Sequence, residues 1–95
     1  MTSLQLDWDA SKARLNSRKH GVSFEEARSV LSDDRARVID DPDHCTDEER
    51  FILLGLSTNL RLLVVVHCLR AAGGVIHFIS ARKATREEQR CYAWR

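Results

Sequence analysis

The chain carries side chains that suit phosphate contact and proton transfer, and most of them lie in its second half. Residues 50–95 hold eight basic residues, seven of them arginine, against two acids. The planar fork of an arginine guanidinium matches a phosphate group better than a lysine ammonium does. The candidate chemistry-bearing residues are His20, Glu49, Arg50, His67, Arg70, His77, Arg82, Lys83 and Tyr92.

The charge is unevenly distributed along the chain. The net charge is only +1, and residues 32–49 carry eight acids against two arginines. A near-neutral protein with one basic half favours a local anionic ligand over general coating of nucleic acid. The alternative is that the arginines only alternate along strands and point outward from a sheet into solvent. Composition alone slightly favours this alternative.

The cysteines and histidines match no metal-ligand motif. The three cysteines have no CxxC spacing, and the four histidines are separated by 24, 23 and 10 residues. A structural zinc site normally takes closely spaced pairs of such ligands. We therefore expect no metal and no cofactor.

The length of 95 residues fits one domain, residues 1–95. No stretch without Asp, Glu, Lys or Arg exceeds eleven residues, about half of what a membrane-spanning helix needs. Asp7 and Asp9 stand where the apolar region of a signal peptide would lie. These features predict a single cytoplasmic domain with no membrane partner.

Helix signals occur at three places in the sequence. Asp9 can cap a first helix that Gly21 ends. Ser23 and Thr85 each stand three residues before a glutamate, the spacing of a capping box, and so predict a second and a last helix.

β-Rich runs lie between the second and the last helix signal. Residues 51–56, 61–69 and 75–81 predict consecutive strands with short connections, and residues 37–39 predict a further strand. The predicted fold is therefore α+β, with two N-terminal helices, a three- to four-stranded antiparallel sheet and a C-terminal helix.

Strict alternation along the last strand predicts two sets of side chains. His77 and Ala81 point to one face, and Phe78 and Arg82 point to the other. On the preceding strand His67 shares a face with three aliphatic residues, where a histidine is more often a hydrogen-bonded core residue than a catalyst.

Three segments of the chain resemble the BrnT family of bacterial toxins from type II toxin–antitoxin systems. The resemblance runs from about Leu6 to Tyr92. It rests on Trp8-Asp9-x-x-Lys12-x-x-x-Asn16-x-x-Lys19-His20-Gly21, on Glu49-Arg50-Phe51 with residues 61–67 and Arg70, and on Ile79-Ser80-Ala81-Arg82-Lys83-Ala84-Thr85-x-x-Glu88-x-x-x-Tyr92.

One position departs from the family pattern. Family members usually carry arginine two places before the residue that corresponds to Ile79, whereas this chain has His77. If that arginine contacts phosphate, His77 would contact it less strongly and in a pH-dependent way.

The resemblance implies a RelE-like ribonuclease fold and RNA cleavage that inhibits translation. It also implies a ribbon-helix-helix antitoxin (BrnA-like) that neutralises the toxin, with DNA contacted only indirectly through the antitoxin. A non-catalytic RNA- or ribosome-binding module and a protein-partner-binding domain on the same scaffold are the alternatives.

A ribonuclease of this kind uses the 2′-OH of RNA as its nucleophile, and it needs a base, an acid and phosphate-binding cations. The candidate base is His67 or Glu49. The candidate acid is His20, His67 or Tyr92. The candidate phosphate clamps are Arg50, Arg70 and Arg82.

Further RNA contacts are expected beside these groups, at Lys12, Lys19, His20, His77 and Lys83. Lys12, Asn16, Lys19 and His20 form one stripe on the first helix by their spacing, and the alternative for this stripe is an ordinary solvated face. The alternative for Arg82 is an ion pair with Glu88 or Asp40 that only holds the last helix in place.

Overall fold

The computed structural model describes residues 5–40, 50–70 and 74–93. In chain order the elements are β1 (Gln5–Asp7), α1 (Ala10–His20), α2 (Phe24–Ser29), a 3₁₀ turn (Val30–Ser32), β2 (Arg37–Asp40), β3 (Arg50–Leu56), β4 (Leu62–Arg70), β5 (Val75–Lys83) and α3 (Arg86–Ala93). The predicted α+β class is confirmed, and the described residues contain three α-helices.

The predicted caps begin and end α1. The side chain of Asp9 accepts hydrogen bonds from the backbone N–H groups of Ser11 and Lys12, at 2.8 and 3.2 Å. Gly21 ends the helix in the left-handed conformation at φ 69°, which glycine adopts without steric cost. Both ends of α1 are therefore determined by local sequence.

The two predicted capping boxes differ in one respect. Ser23 Oγ accepts from the Glu26 N–H at 3.0 Å and begins α2, but the Glu26 carboxylate turns into the protein. At α3 the box is reciprocal, because Thr85 Oγ1 accepts from the Glu88 N–H and Glu88 Oε1 accepts from the Thr85 N–H. Trp94, to which the sequence predicts that the last helix extends, lies outside the described residues.

The sheet has five strands in the order β1-β5-β4-β3-β2. Strands β2 to β5 form the predicted antiparallel meander, but the expected number of three to four strands is wrong. β1 pairs with β5 in parallel, Leu6 opposite Ile76. Hydrophobic patterning identifies strands but not their partners, and this pair joins segments some 70 residues apart.

Two hydrophobic layers cover the two sides of the sheet. On one side, which we call the helix side, α1 and α2 pack on Leu53, Val65, Phe78 and Ala81. Trp8 extends that layer by stacking on Phe78, with ring centroids 5.9 Å apart. On the other side α3 packs on a smaller cluster that comprises Ile52, Leu54, Val64 and Ala84 with Tyr92.

A buried carboxylate joins α2 to the hairpin between β3 and β4. Glu26 is 8% exposed, and its carboxylate accepts from Arg61 Nε at 2.8 Å, from Arg61 Nη2 and from Ser57 Oγ at 2.7 Å. Arg61 also donates to the Gly21 carbonyl at 3.1 Å. The Arg61 hydrogen bonds, with help from Ser57, lower the pKa of Glu26 to about 2 against the opposing effect of burial.

This network makes stability depend on pH in a defined window. Because the pKa of Glu26 falls from 4.5 to about 2 on folding, its contribution is present above pH 4.5 and is lost as pH falls toward 2. We expect Glu26→Gln to have a lower free energy of unfolding than wild type at pH 6. At pH 3 this difference in free energy of unfolding should be smaller by about 2 kcal/mol. Urea unfolding at the two pH values measures this change.

The exposed neighbour Glu25 provides the matched control, since Glu25→Gln removes the same charge outside the network. Its stability relative to wild type should change little between pH 6 and pH 3. A gap for Glu26→Gln that is equal at both pH values would contradict the linkage.

Candidate functional site

A β-bulge in β5 determines which side chains share a face of the sheet. Val66 pairs with Ser80 and His67 with Phe78, so Ile79 is an extra residue opposite one step of β4. Such bulges redirect the side chains that follow them. The strict alternation predicted for this strand is therefore wrong beyond Phe78, since Ala81 packs in the same core layer as Phe78.

The side chain of Asn16 holds the strand after the bulge. Its Nδ2 donates to the carbonyl oxygens of Ala81 and Val22, both at 2.9 Å, and its Oδ1 accepts from the Ala81 N–H at 3.0 Å. Asn16 is only 6% exposed. These are the bonds that a neighbouring strand would make, and they connect α1 to the part of β5 beyond β1.

Because of the bulge, Arg82 projects to the same side of the sheet as Arg50 and Arg70, opposite α1 and α2. Directly paired residues of a sheet project to the same side, and the register pairs Arg50 with Cys68 and Cys68 with His77. Arg70 and, after the bulge, Ser80 and Arg82 project to this side as well. We call this side, defined by Arg50, Arg70, His77, Ser80 and Arg82, the arginine face.

The side chain of Arg50 is set into the arginine face rather than extended into solvent. Its Nε is buried and has no hydrogen-bond partner among the residues that the structure describes. A buried N–H without a partner costs about 1–3 kcal/mol, so this donor is suited to an acceptor brought by a ligand.

His77 lies at the other end of the same row of paired residues. Its Nδ1 is 2.5 Å from Asp7 Oδ1, across the parallel pair of β5 and β1. The His77 side chain is 12% exposed, while that of Asp7 is 57% exposed. The sequence identified His77 as a candidate but not Asp7, because only the parallel pairing brings the two together.

Arg82 forms the ion pair that the sequence offered as its alternative role. Its Nη1 and Nη2 donate to the two oxygens of Glu88, each at 2.8 Å. The hydrogen bonds from Arg82 lower the pKa of Glu88 to about 2 against the effect of burial. Arg82 therefore joins the arginine face to the first turn of α3.

The opposite end of α3 is held by two further contacts. Arg37 Nη1 donates to the Cys91 carbonyl at 2.7 Å, and Tyr92 OH donates to Asp33 Oδ2 at 2.7 Å. Burial acts to raise the pKa of Asp33, but hydrogen bonds from Leu56, Tyr92 and Arg35 outweigh it and lower the pKa. The hydroxyl of Tyr92 is thus bound to the Asp33 carboxylate, and this contact helps to hold α3 on the sheet.

His67 lies on the helix side, away from the arginine face. It pairs with Phe51 and Phe78, is 7% exposed, and has its ring centroid 5.9 Å from that of Phe51. Burial lowers the pKa of His67, against a weak contact from Nδ1 to the Val65 carbonyl. This environment is that of a core histidine. Glu49, the other candidate base, lies outside the described residues.

The candidate RNA contacts of α1 line a shallow groove beside the bulge. The groove has a volume of about 210 Å³ and is lined by Lys12, Leu15, Asn16, Lys19, His20, Ile79 and Ser80. Lys83 is not part of it. Lys83 pairs with Leu63, so it projects to the helix side and is exposed there.

Within residues 5–40, 50–70 and 74–93, no three histidine, cysteine or acidic side chains cluster as metal ligands would. No helix in the described part of the chain is long and apolar enough to cross a membrane.

Comparison with known proteins identifies the family. Residues 8–88 match the profile described as "Ribonuclease toxin, BrnT, of type II toxin-antitoxin system". The crystal structure of the Brucella abortus ribonuclease toxin BrnT is similar in fold, with a TM-score of 0.66 and 23% sequence identity over 88% of this chain and 100% of that one. No curated protein sequence matches the chain. Since the profile covers most of its length, the chain belongs to the BrnT family of ribonuclease toxins.

Proposed function

We propose that the chain is a metal-independent endoribonuclease whose cleavage of RNA inhibits translation in the cytoplasm. The observation that carries this proposal is the gathering of Arg50, Arg70 and His77 on one face of the sheet. Guanidinium groups stabilise the extra negative charge that forms on phosphorus when the 2′-oxygen attacks. The α+β architecture, with α1 and α2 on one side of the sheet and α3 on the other, supports assignment of the fold to the RelE-like ribonucleases.

Arg50 and Arg82 differ in their contacts. We assign phosphate binding to Arg50 and Arg70, since the buried Nε of Arg50 has no hydrogen-bond partner among the described residues and Arg70 is exposed two positions from Cys68 on the same face. Arg82 lies on the same face but is paired with Glu88. We therefore place it at the edge of the site, next to α3.

The groove beside α1 extends the RNA surface past the bulge. Lys12, Lys19 and His20 line it together with Ser80, which belongs to the arginine face. An RNA strand bound across the arginine face can therefore place its backbone next to these side chains, which position a strand without reading its bases. We assign no proton transfer to His67, because its ring is buried on the helix side.

The family belongs to type II toxin–antitoxin systems, so a protein antitoxin is the natural partner. We propose that the antitoxin is a ribbon-helix-helix protein and that the toxin contacts DNA only through it. We expect the neighbouring gene to encode a ribbon-helix-helix protein. This protein should bind the toxin and stop cleavage. An adjacent partner of another fold would contradict the proposal.

The metal requirement separates this mechanism from metal-assisted hydrolysis. Arginines and a histidine supply charge stabilisation and proton transfer without a metal ion. We expect the purified protein to cleave RNA fully in excess chelator and to leave a 2′,3′-cyclic phosphate and a 5′-hydroxyl. Loss of activity in chelator with recovery in magnesium would exclude the mechanism, and binding without cleavage would indicate a non-catalytic module.

Removal of the proposed phosphate clamps should weaken cleavage specifically. We expect Arg50→Ala and Arg70→Ala each to reduce the cleavage rate by on the order of 10²-fold, because each removes a cation from the developing charge. Arg28→Ala is the matched control, since it removes an exposed arginine from α2, on the other side of the sheet. If Arg50→Ala or Arg70→Ala lowers the cleavage rate no more than Arg28→Ala does, that arginine is not part of the site.

Two variants distinguish a phosphate role of Arg82 from a purely structural one. Arg82→Ala and Glu88→Gln both break the same ion pair, and we expect each to cost about 1 kcal/mol of stability. Only Arg82→Ala removes the cation, so cleavage by the folded fraction should fall for Arg82→Ala and persist for Glu88→Gln. Melting temperature and cleavage rate are measured on the same preparations. Unchanged cleavage by Arg82→Ala would leave Arg82 with the structural role alone.

A further inference from the structure

The arginine face contains an imidazole that a carboxylate already orients. His77 Nδ1 lies 2.5 Å from Asp7 Oδ1, and Asp7 is the one hydrogen-bond partner of this ring among the described residues. A carboxylate only accepts hydrogen bonds, so Nδ1 carries the proton of this pair. In the neutral ring the lone pair is then on Nε2, which is the form that a general base requires.

The register places this imidazole close to the proposed phosphate clamps. His77, Cys68 and Arg50 stand opposite one another on three neighbouring strands. Strands are spaced about 4.8 Å apart, so the backbones of His77 and Arg50 are about 10 Å apart. Arg70, two residues beyond Cys68, is a diagonal neighbour of His77 at about 7–8 Å. Side chains of this length can reach one phosphodiester group between them.

We propose that His77 is the general base of RNA cleavage and that Asp7 is its positioning residue. The inference rests on the proposed ribonuclease function and deepens it. Of the candidate histidines, His67 is buried on the helix side, while His20 ends α1 at the groove. His77 alone combines a position on the arginine face with a carboxylate partner among the described residues.

The reaction step balances with the groups at hand. Nε2 of His77 takes the proton of the 2′-OH while the 2′-oxygen forms a bond to phosphorus. The bond from phosphorus to the 5′-oxygen breaks, and the 5′-oxygen takes a proton from water. The imidazolium, stabilised by Asp7, then returns its proton to the solvent. The products are a 2′,3′-cyclic phosphate and a 5′-hydroxyl end.

This role differs from the one that the family pattern suggests for position 77. An arginine there supplies a fixed positive charge to a phosphate but cannot accept a proton at neutral pH. A histidine supplies a proton acceptor. His77→Arg therefore separates the two roles, since it restores the charge and removes the base.

The test measures single-turnover cleavage of a short RNA and, separately, affinity for the same RNA with 2′-deoxyribose at the cleavage position. That analogue lacks the nucleophile and reports binding alone. We expect His77→Ala and His77→Gln to cleave on the order of 10²–10⁴-fold more slowly with little change in affinity. Glutamine fills the space of the ring, so it keeps the test valid if the alanine variant folds poorly.

Added imidazole gives a readout that a structural role would not move. We expect it to restore part of the cleavage by His77→Ala and none of the cleavage by Arg70→Ala. Asp7→Asn should lower the cleavage rate at saturating protein at least about tenfold, with affinity unchanged, because the amide no longer fixes the proton on Nδ1. Asp34→Asn, an exposed acid outside the site, is its control and should cleave as wild type does.

Each opposing result has a distinct meaning. Wild-type cleavage by His77→Ala, or equal or higher activity of His77→Arg, would overturn this inference and leave the ribonuclease function intact. A slow His77→Ala that imidazole does not rescue and that binds the deoxy analogue weakly would assign His77 to phosphate contact instead. Absence of cleavage by the wild-type protein would overturn the proposed function and this inference together.

Discussion

The amide of Asn16 substitutes for a neighbouring strand along β5, and the geometry of the arginine face depends on it. β1 pairs with only the first three residues of β5, so without Asn16 both backbone groups of Ala81 would lose their partners. A bulge disrupts the hydrogen-bond ladder locally, and the strand after it needs support. The same amide also holds the Val22 carbonyl between α1 and α2, so it connects the helical layer to the strand that carries Arg82.

The two sides of the sheet use their arginines differently. Toward the helices, Arg61 is committed to a buried carboxylate, and removal of one partner of such a pair is destabilising because it leaves the other charge uncompensated. On the arginine face, α3 covers the part around Leu54 and Val64. Its ends are held by Arg82 and Arg37.

Local signals in the sequence predict the elements well and their assembly less well. The caps at Asp9 and Thr85 act within a few residues, so the sequence alone locates α1 and α3. The pairing of β1 with β5 and the bulge at Ile79 depend on contacts between distant segments, and both alter the site. The stripe that includes Lys12 and Asn16 illustrates the difference, since spacing alone cannot distinguish the exposed lysine from the buried amide.

The exchange of arginine for histidine at position 77 is informative because of its neighbours. An imidazole in place of a guanidinium gives up a fixed positive charge, and it gains a use only where another residue gives the ring a role in proton transfer. Asp7 provides that residue, and it lies on a strand whose only described pairing partner is β5. The three-residue strand β1 therefore does more than extend the sheet. It brings a carboxylate to the one histidine that shares a face with Arg50 and Arg70 among the described residues.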